Sequence, residues 1–146
     1  MFDFMTVARA LTDENRVRIL MALRDREMCV CQVTCFLDLS PSTTSKHLSI
    51  LRQARLIQSR KKGKWVYYRL AADAACPAVV RGAIVWVMSN LGNSSLVRED
   101  SERIKAILKR EQELCDGLGG DVENFHSLEI HSISDPEMDA AVEEES

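Results

Sequence analysis

Between Val30 and Leu70 four segments follow one another in an order that few folds accommodate. A short apolar run, Val30 to Leu37, ends in the turn Asp38-Leu39-Ser40. Ser40 is a good N-cap, and Pro41 suits the first helical position, where a missing N–H costs nothing, so a new helix is predicted from Pro41 to about Ala54. Along it Thr44, Leu48 and Leu51 share one face at i, i+4 and i+7, while Ser42, Ser45, Lys46 and Ser49 fall on another. One face is expected in the core and the other in water. Two β-prone runs, "LIQSR" and "WVYYRL", come next, joined by "KKGK". Val66, Tyr68 and Leu70 alternate with Trp65, Tyr67 and Arg69, and Gly63 permits the positive φ that a tight hairpin often needs.

The formal net charge of −3 hides a strong segregation. From Leu39 to Ala72 the chain has eight basic residues and no acidic one; these are eight of its 19 Lys and Arg, which leaves eleven against all 22 acids elsewhere. After Arg110 there is no further Lys or Arg, while ten acids follow from Asp116 onward. A phosphate responds to the local field, not to the average. A helix entering the major groove should offer small hydroxyls and a cation to base edges and phosphates, and Ser42, Thr43, Ser45, Lys46 and His47 supply them. The basic turn Arg60-Lys61-Lys62-Gly63-Lys64 can reach the neighbouring backbone or minor groove. Hydroxyl-rich amphipathic helices and solvated lysine loops also occur without DNA. The acid-free stretch argues against that blander reading. The pattern is a winged helix-turn-helix, mainly α with a small β-hairpin, whose expected partner is double-stranded DNA.

The flanks read as helices. Phe2, Met5, Ala8 and Leu11 keep helical spacing, and Thr12 or Asp13 can cap a second helix carrying Val17, Ile19, Leu20 and Leu23. A fifth helix is expected over Cys76–Leu91 and a sixth over Leu96–Cys115, separated by Gly92-Asn93-Ser94-Ser95. The domain reading is 1–95 for DNA binding and dimerisation, 96–115 for a C-terminal helix, and 116–146 for an acidic, mobile tail. Ala78 to Leu91 is too short to span a bilayer and contains Arg81. The start has no basic n-region followed by a sustained apolar stretch, so a cytoplasmic protein is expected. Five cysteines, an odd number with three clustered, do not suggest an extracellular disulfide framework.

The cluster is Cys29, Cys31 and Cys35, soft ligands suited to As(III), Sb(III) and other thiophilic ions. A trivalent metalloid takes three thiolates. Cys31 and Cys35 are i, i+4 and share a helical face. Cys29 and Cys31 would lie about 200° apart on a regular helix, at roughly 100° per residue. All three can grip one ion only where the backbone around Cys29 to Cys31 is non-helical. Ion binding is therefore expected to fix or unwind the start of this helix and to shift the recognition helix that follows. A coupling of about 1–3 kcal/mol would weaken operator affinity roughly 5- to 150-fold. The alternatives are small buried hydrophobes and thiols that form a disulfide on oxidation.

"DENRVRIL", "CVCQVT", "SPSTTSKHLSILRQARLI" and "RKKGKWVYYRL" resemble the ArsR/SmtB family of metal-responsive repressors, above all those of arsenical-resistance operons. The resemblance covers about Val7 to Leu91. It implies a homodimeric repressor with the fourth helix as reader, the 57–70 hairpin as wing and the terminal helices at the dimer interface. It also implies that Ser42, Ser45, Lys46 and His47 contact DNA, and that As(III) or Sb(III) on cysteine thiolates releases the operator. C-V-C at this place occurs in cadmium- and lead-sensing relatives too, which add cysteines from an N-terminal extension. No cysteine precedes Cys29 here. The sequence departs from the pattern in two places: Cys35 lies four residues after Cys31 where three is common, and Arg55 stands where Gly is usual. Zinc-sensing relatives use Asp and His on the fifth helix, and Cys76–Leu91 has neither.

Other groups carry less. Cys76 and Cys115 read as structural or free thiols. His126, His131, Glu129 and Asp135 lie in the acidic tail and read as solvated. An enzyme, such as a thiol-based reductase, would need an anion-cradling loop or a redox C-x-x-C, and the cysteine segment has C-x-C and C-x3-C instead.

Overall fold

The structure, a computed structural model, describes residues 1–71 and 76–117, with the side chains of Phe2 and of residues 115–117 outside that description. The elements are α1 (Phe2–Ala10), α2 (Glu14–Ala22), β1 (Met28–Cys29), α3 (Val30–Leu37), α4 (Pro41–Gln53), β2 (Ile57–Lys62), β3 (Trp65–Leu70), α5 (Ala78–Leu91) and α6 (Ser95–Gly117). The expected acidic tail and its histidines lie outside the described residues from 118 onward.

Local chemistry sets the helix ends. Asp13 accepts the N–H groups of Asn15 and Arg16 at the start of α2, and Ser40 accepts that of Thr43 at the start of α4, with Pro41 next. α4 ends in a Schellman motif: Leu56 N–H donates to Leu51 C=O and Arg55 N–H to Arg52 C=O. This geometry puts Arg55 at φ 64°, a left-handed conformation that an L side chain enters at a cost. Arg55→Gly is expected to raise stability by up to about 1 kcal/mol, the usual gain from relieving a left-handed non-glycine residue; urea unfolding midpoints would measure it.

The wing is larger than the expected hairpin. Among the described residues the sheet has three strands in the order β1-β3-β2, all antiparallel. Gly63, at φ 64°, turns β2 into β3, and β1 pairs Met28 with Tyr68 and Cys29 with Tyr67. The strand that carries Cys29 is therefore stitched to the wing.

The core gathers Ile19 and Leu20 of α2, Phe36 of α3, Leu48 and Leu51 of α4, and Tyr68 of β3. Helix α6 packs on α2 and α3. Arg18 donates from Nε and Nη2 to the two Asp100 oxygens at 2.9 and 2.8 Å, and its guanidinium sits 5.6 Å from the Phe36 ring centre. That bidentate bond holds the Arg18 pKa above its ordinary value, against the opposing effect of burial. Helices α1 and α5 pack together and leave Phe4, Met5, Val85 and Trp86 facing outward.

Candidate nucleic-acid interface and thiol site

Helix α4 touches α1, α2, α3 and β2, so its buried arc is wide. Thr44, Leu48 and Leu51 lie inside as the spacing predicts. Ser45, expected on the wet face, is instead only 5% exposed, and its hydroxyl finds no hydrogen-bond partner among the described residues. Packing against several helices pulls in a flank position about 100° from Thr44. Ser45 is thus removed from the exposed face of α4. Ser42 and Lys46 are exposed. The Thr43 hydroxyl accepts from Ser40 Oγ at 2.8 Å, so part of its capacity is used by the helix cap.

His47 is half-buried, with Nδ1 3.3 Å from Arg16 Nη1. A guanidinium only donates, so the imidazole accepts and stands neutral with its proton on Nε2. Arg16 also donates to the Ala10 and Arg9 carbonyls, which ties α1, α2 and α4 together. Burial pushes the His47 pKa below its ordinary value, and Arg16 lowers it further while Asp13 opposes. The unfolded chain therefore binds a proton here just below about pH 6.5 when the fold does not. Stability is expected to fall as pH drops below that value, and His47→Gln to flatten the slope in thermal unfolding followed from pH 7 to 5.

In the wing, Lys61, Lys62 and Lys64 are exposed around the turn. Arg60 is exposed too, but it is engaged by neighbours: it pairs with Glu27 at 2.8 Å and lies 5.8 Å from the Tyr67 ring centre. The exposed cations of α4 and the wing turn are Lys46, Lys61, Lys62 and Lys64, with Arg60 exposed beside them but paired to Glu27.

The thiols occupy the junction of these parts. Cys29 is the N-cap of α3 in extended conformation, φ −89° and ψ 167°. It is not on the helix, so the non-helical backbone required for the thiols of Cys29 and Cys31 to converge is present and the opposition of a regular helix does not arise. Their sulfurs are 2.7 Å apart and both are buried, 1% and 3% exposed. No unwinding is needed to bring them together. Two soft donors side by side are the ligand type that a thiophilic ion takes. Cys35 is exposed on the next turn of α3, and no group of three His, Cys, Asp or Glu placed to hold an ion forms among the described residues.

Around the pair stand groups that the sequence reading passed over. Gln32 Oε1 accepts the Cys29 N–H at 3.0 Å, and Gln32 Nε2 donates to Glu111 Oε2 of α6 at 2.7 Å. Glutamine three residues after an N-cap is a capping-box spacing and was legible; its bond to Glu111 was not. Tyr67, opposite Cys29 in the sheet, has its pKa raised by burial first, then by Cys29, Cys31 and Glu111, with Arg60 opposing.

Residues 13–59 match the family model described as bacterial regulatory protein, arsR family. The chain is 46% identical over 81 residues to the arsenic resistance transcriptional regulator ArsR1 of Pseudomonas putida, covering 53% of this chain and 63% of that protein. It is 44% identical over 71 residues to the cadmium resistance transcriptional regulatory protein CadC of Listeria innocua, covering 46% and 60%. The chain thus spans about six-tenths of the length of these curated relatives. Among solved structures it is similar to the homodimeric winged helix-turn-helix DNA-binding domain Mb0332 of Mycobacterium bovis, at 27% identity and a TM-score of 0.50, covering 60% of this chain and 79% of that one.

Proposed function

We propose that this chain, whose residues 13–59 match the arsR family model, is a cytoplasmic, homodimeric repressor that binds operator DNA when ion-free and releases it when As(III) or Sb(III) binds cysteine thiolates. The observation that carries this reading is the buried contact between Cys29 and Cys31 at the point where α3 and the wing meet. Cys29 pairs with Tyr67 of β3, and Cys31 lies in α3, which a tight turn joins to α4. An ion held by both sulfurs would bias both DNA-reading elements at once. This replaces helix unwinding as the source of the coupling. The operator contacts would come from Ser42, Thr43 and Lys46, with the phosphate charge met by Lys61, Lys62 and Lys64. Likeness to a homodimeric domain supports the dimer.

Operator affinity should be measured against As(III), Sb(III), Cd(II), Pb(II), Zn(II) and peroxide in wild type, Cys29→Ser and Cys31→Ser. Metalloid is expected to weaken wild-type binding by about 5- to 150-fold and to do little to either variant. Similarity to CadC supports a second reading in which Cd(II) or Pb(II) is the signal, and the thiol contact also suits oxidation to a disulfide. Release by Cd(II) or peroxide with no metalloid response would select one of these. Phosphate contacts also require affinity to fall steeply with salt. A salt-independent complex would remove the DNA reading itself.

A further inference from the structure

The Cys29–Cys31 pair supplies two sulfurs, whereas a trivalent metalloid takes three, and Cys35 sits exposed while the pair is buried. Helix α6 points to another source. It runs along α3 in the opposite sense: Asp100 meets Arg18, whose guanidinium lies over Phe36 near the C-terminal end of α3. Eleven residues later Glu111 meets Gln32 in the first turn of α3, and Gln32 in turn holds the Cys29 N–H. The axis of α6 therefore advances toward the end of α3 that Cys29 caps. Position 115 follows Glu111 by one helical turn, about 6 Å further along the axis and on the same helical face. Residue 115 is a cysteine, and the helix continues to Gly117.

We propose that Cys115 supplies the third thiolate of the Cys29–Cys31 site and that Cys35 lies outside it. The inference rests on the reading of that pair as an As(III) site. The chemistry balances without an oxidant. Arsenous acid, As(OH)3, exchanges three As–O bonds for three As–S bonds, each thiol proton leaves with a hydroxide as water, and arsenic stays trivalent. The three ligands then bridge β1, α3 and α6, so the C-terminal helix becomes part of the sensor. Gln32 and Glu111 act as positioning residues that lay α6 across the pair.

The full chain, as wild type, Cys35→Ser and Cys115→Ser, should be alkylated with and without arsenite and the protected cysteines identified by mass spectrometry. Arsenite affinity and ion-free operator affinity are measured on the same samples. Arsenite is expected to protect Cys29, Cys31 and Cys115 in wild type and in Cys35→Ser. In Cys115→Ser only two thiols should be protected and arsenite affinity should fall at least tenfold, with ion-free operator affinity unchanged as proof of folding. Protection of Cys35 in place of Cys115, or undiminished arsenite affinity in Cys115→Ser, overturns the inference. Protection of the named trio without operator release supports the ligand set and instead overturns the proposed function.

Discussion

Asp100→Ala is expected to cost about 3 kcal/mol or more of folding stability. Arg18 and Asp100 are joined by two bonds of 2.8 and 2.9 Å, and their side chains keep only 14% and 7% of their exposure. Removing one partner of a desolvated pair leaves the other charge buried without compensation, and such losses run at about 3–5 kcal/mol. The partial exposure of Arg18 favours the lower end. For a chain of this size the fall in Tm should be roughly 10 °C. The effect should also reach the thiols, because the pair anchors the start of a helix whose later turns hold Gln32 through Glu111. Replacing both partners with apolar residues of similar volume should recover most of the loss, which separates an unpaired charge from mere loss of packing. Equal destabilisation in the double variant would refute the argument.

The readable parts of the fold were the ones set by neighbours in sequence. Ser40 and Pro41 announced the start of α4, and the structure begins that helix at Pro41; α3 runs from Val30 to Leu37 as expected. Strand β1 escaped notice because two residues carry no period, and its partner Tyr67 lies far along the chain. Ser45 was misplaced because helical spacing gives an angle but not the width of the buried arc, which depends on how many helices surround α4. The non-helical backbone that the sequence reading required for Cys29 and Cys31 to converge is supplied by one residue. Cys29 precedes the helix as its cap, and an extended residue there swings its sulfur beside that of Cys31. The Arg18–Asp100 and Gln32–Glu111 bonds join residues some eighty apart in the chain and left no local pattern.

Trp86→Glu is expected to yield a folded monomer whose operator affinity is at least 100-fold weaker. Val85 and Trp86 on α5 are 62% and 64% exposed, and Phe4 on α1 is 59% exposed. Helices α1 and α5 pack on each other, and each turns large apolar side chains to solvent. A monomer has little reason to keep such a surface wet, and a second copy related by a two-fold axis would cover it with the same surface of its own. A winged helix-turn-helix dimer then presents two α4 helices to two half-sites, and each half-site binds far more weakly alone. A glutamate at position 86 would have to be buried without a partner in the dimer but would meet only water in the monomer. The cost should fall on association and leave folding intact. A 100-fold loss in operator affinity corresponds to about 2.7 kcal/mol. Sedimentation should show the halved mass, circular dichroism an unchanged helix content, and titration with operator DNA the weaker complex. A variant that stays dimeric with undiminished operator affinity would place the dimer interface elsewhere on the molecule.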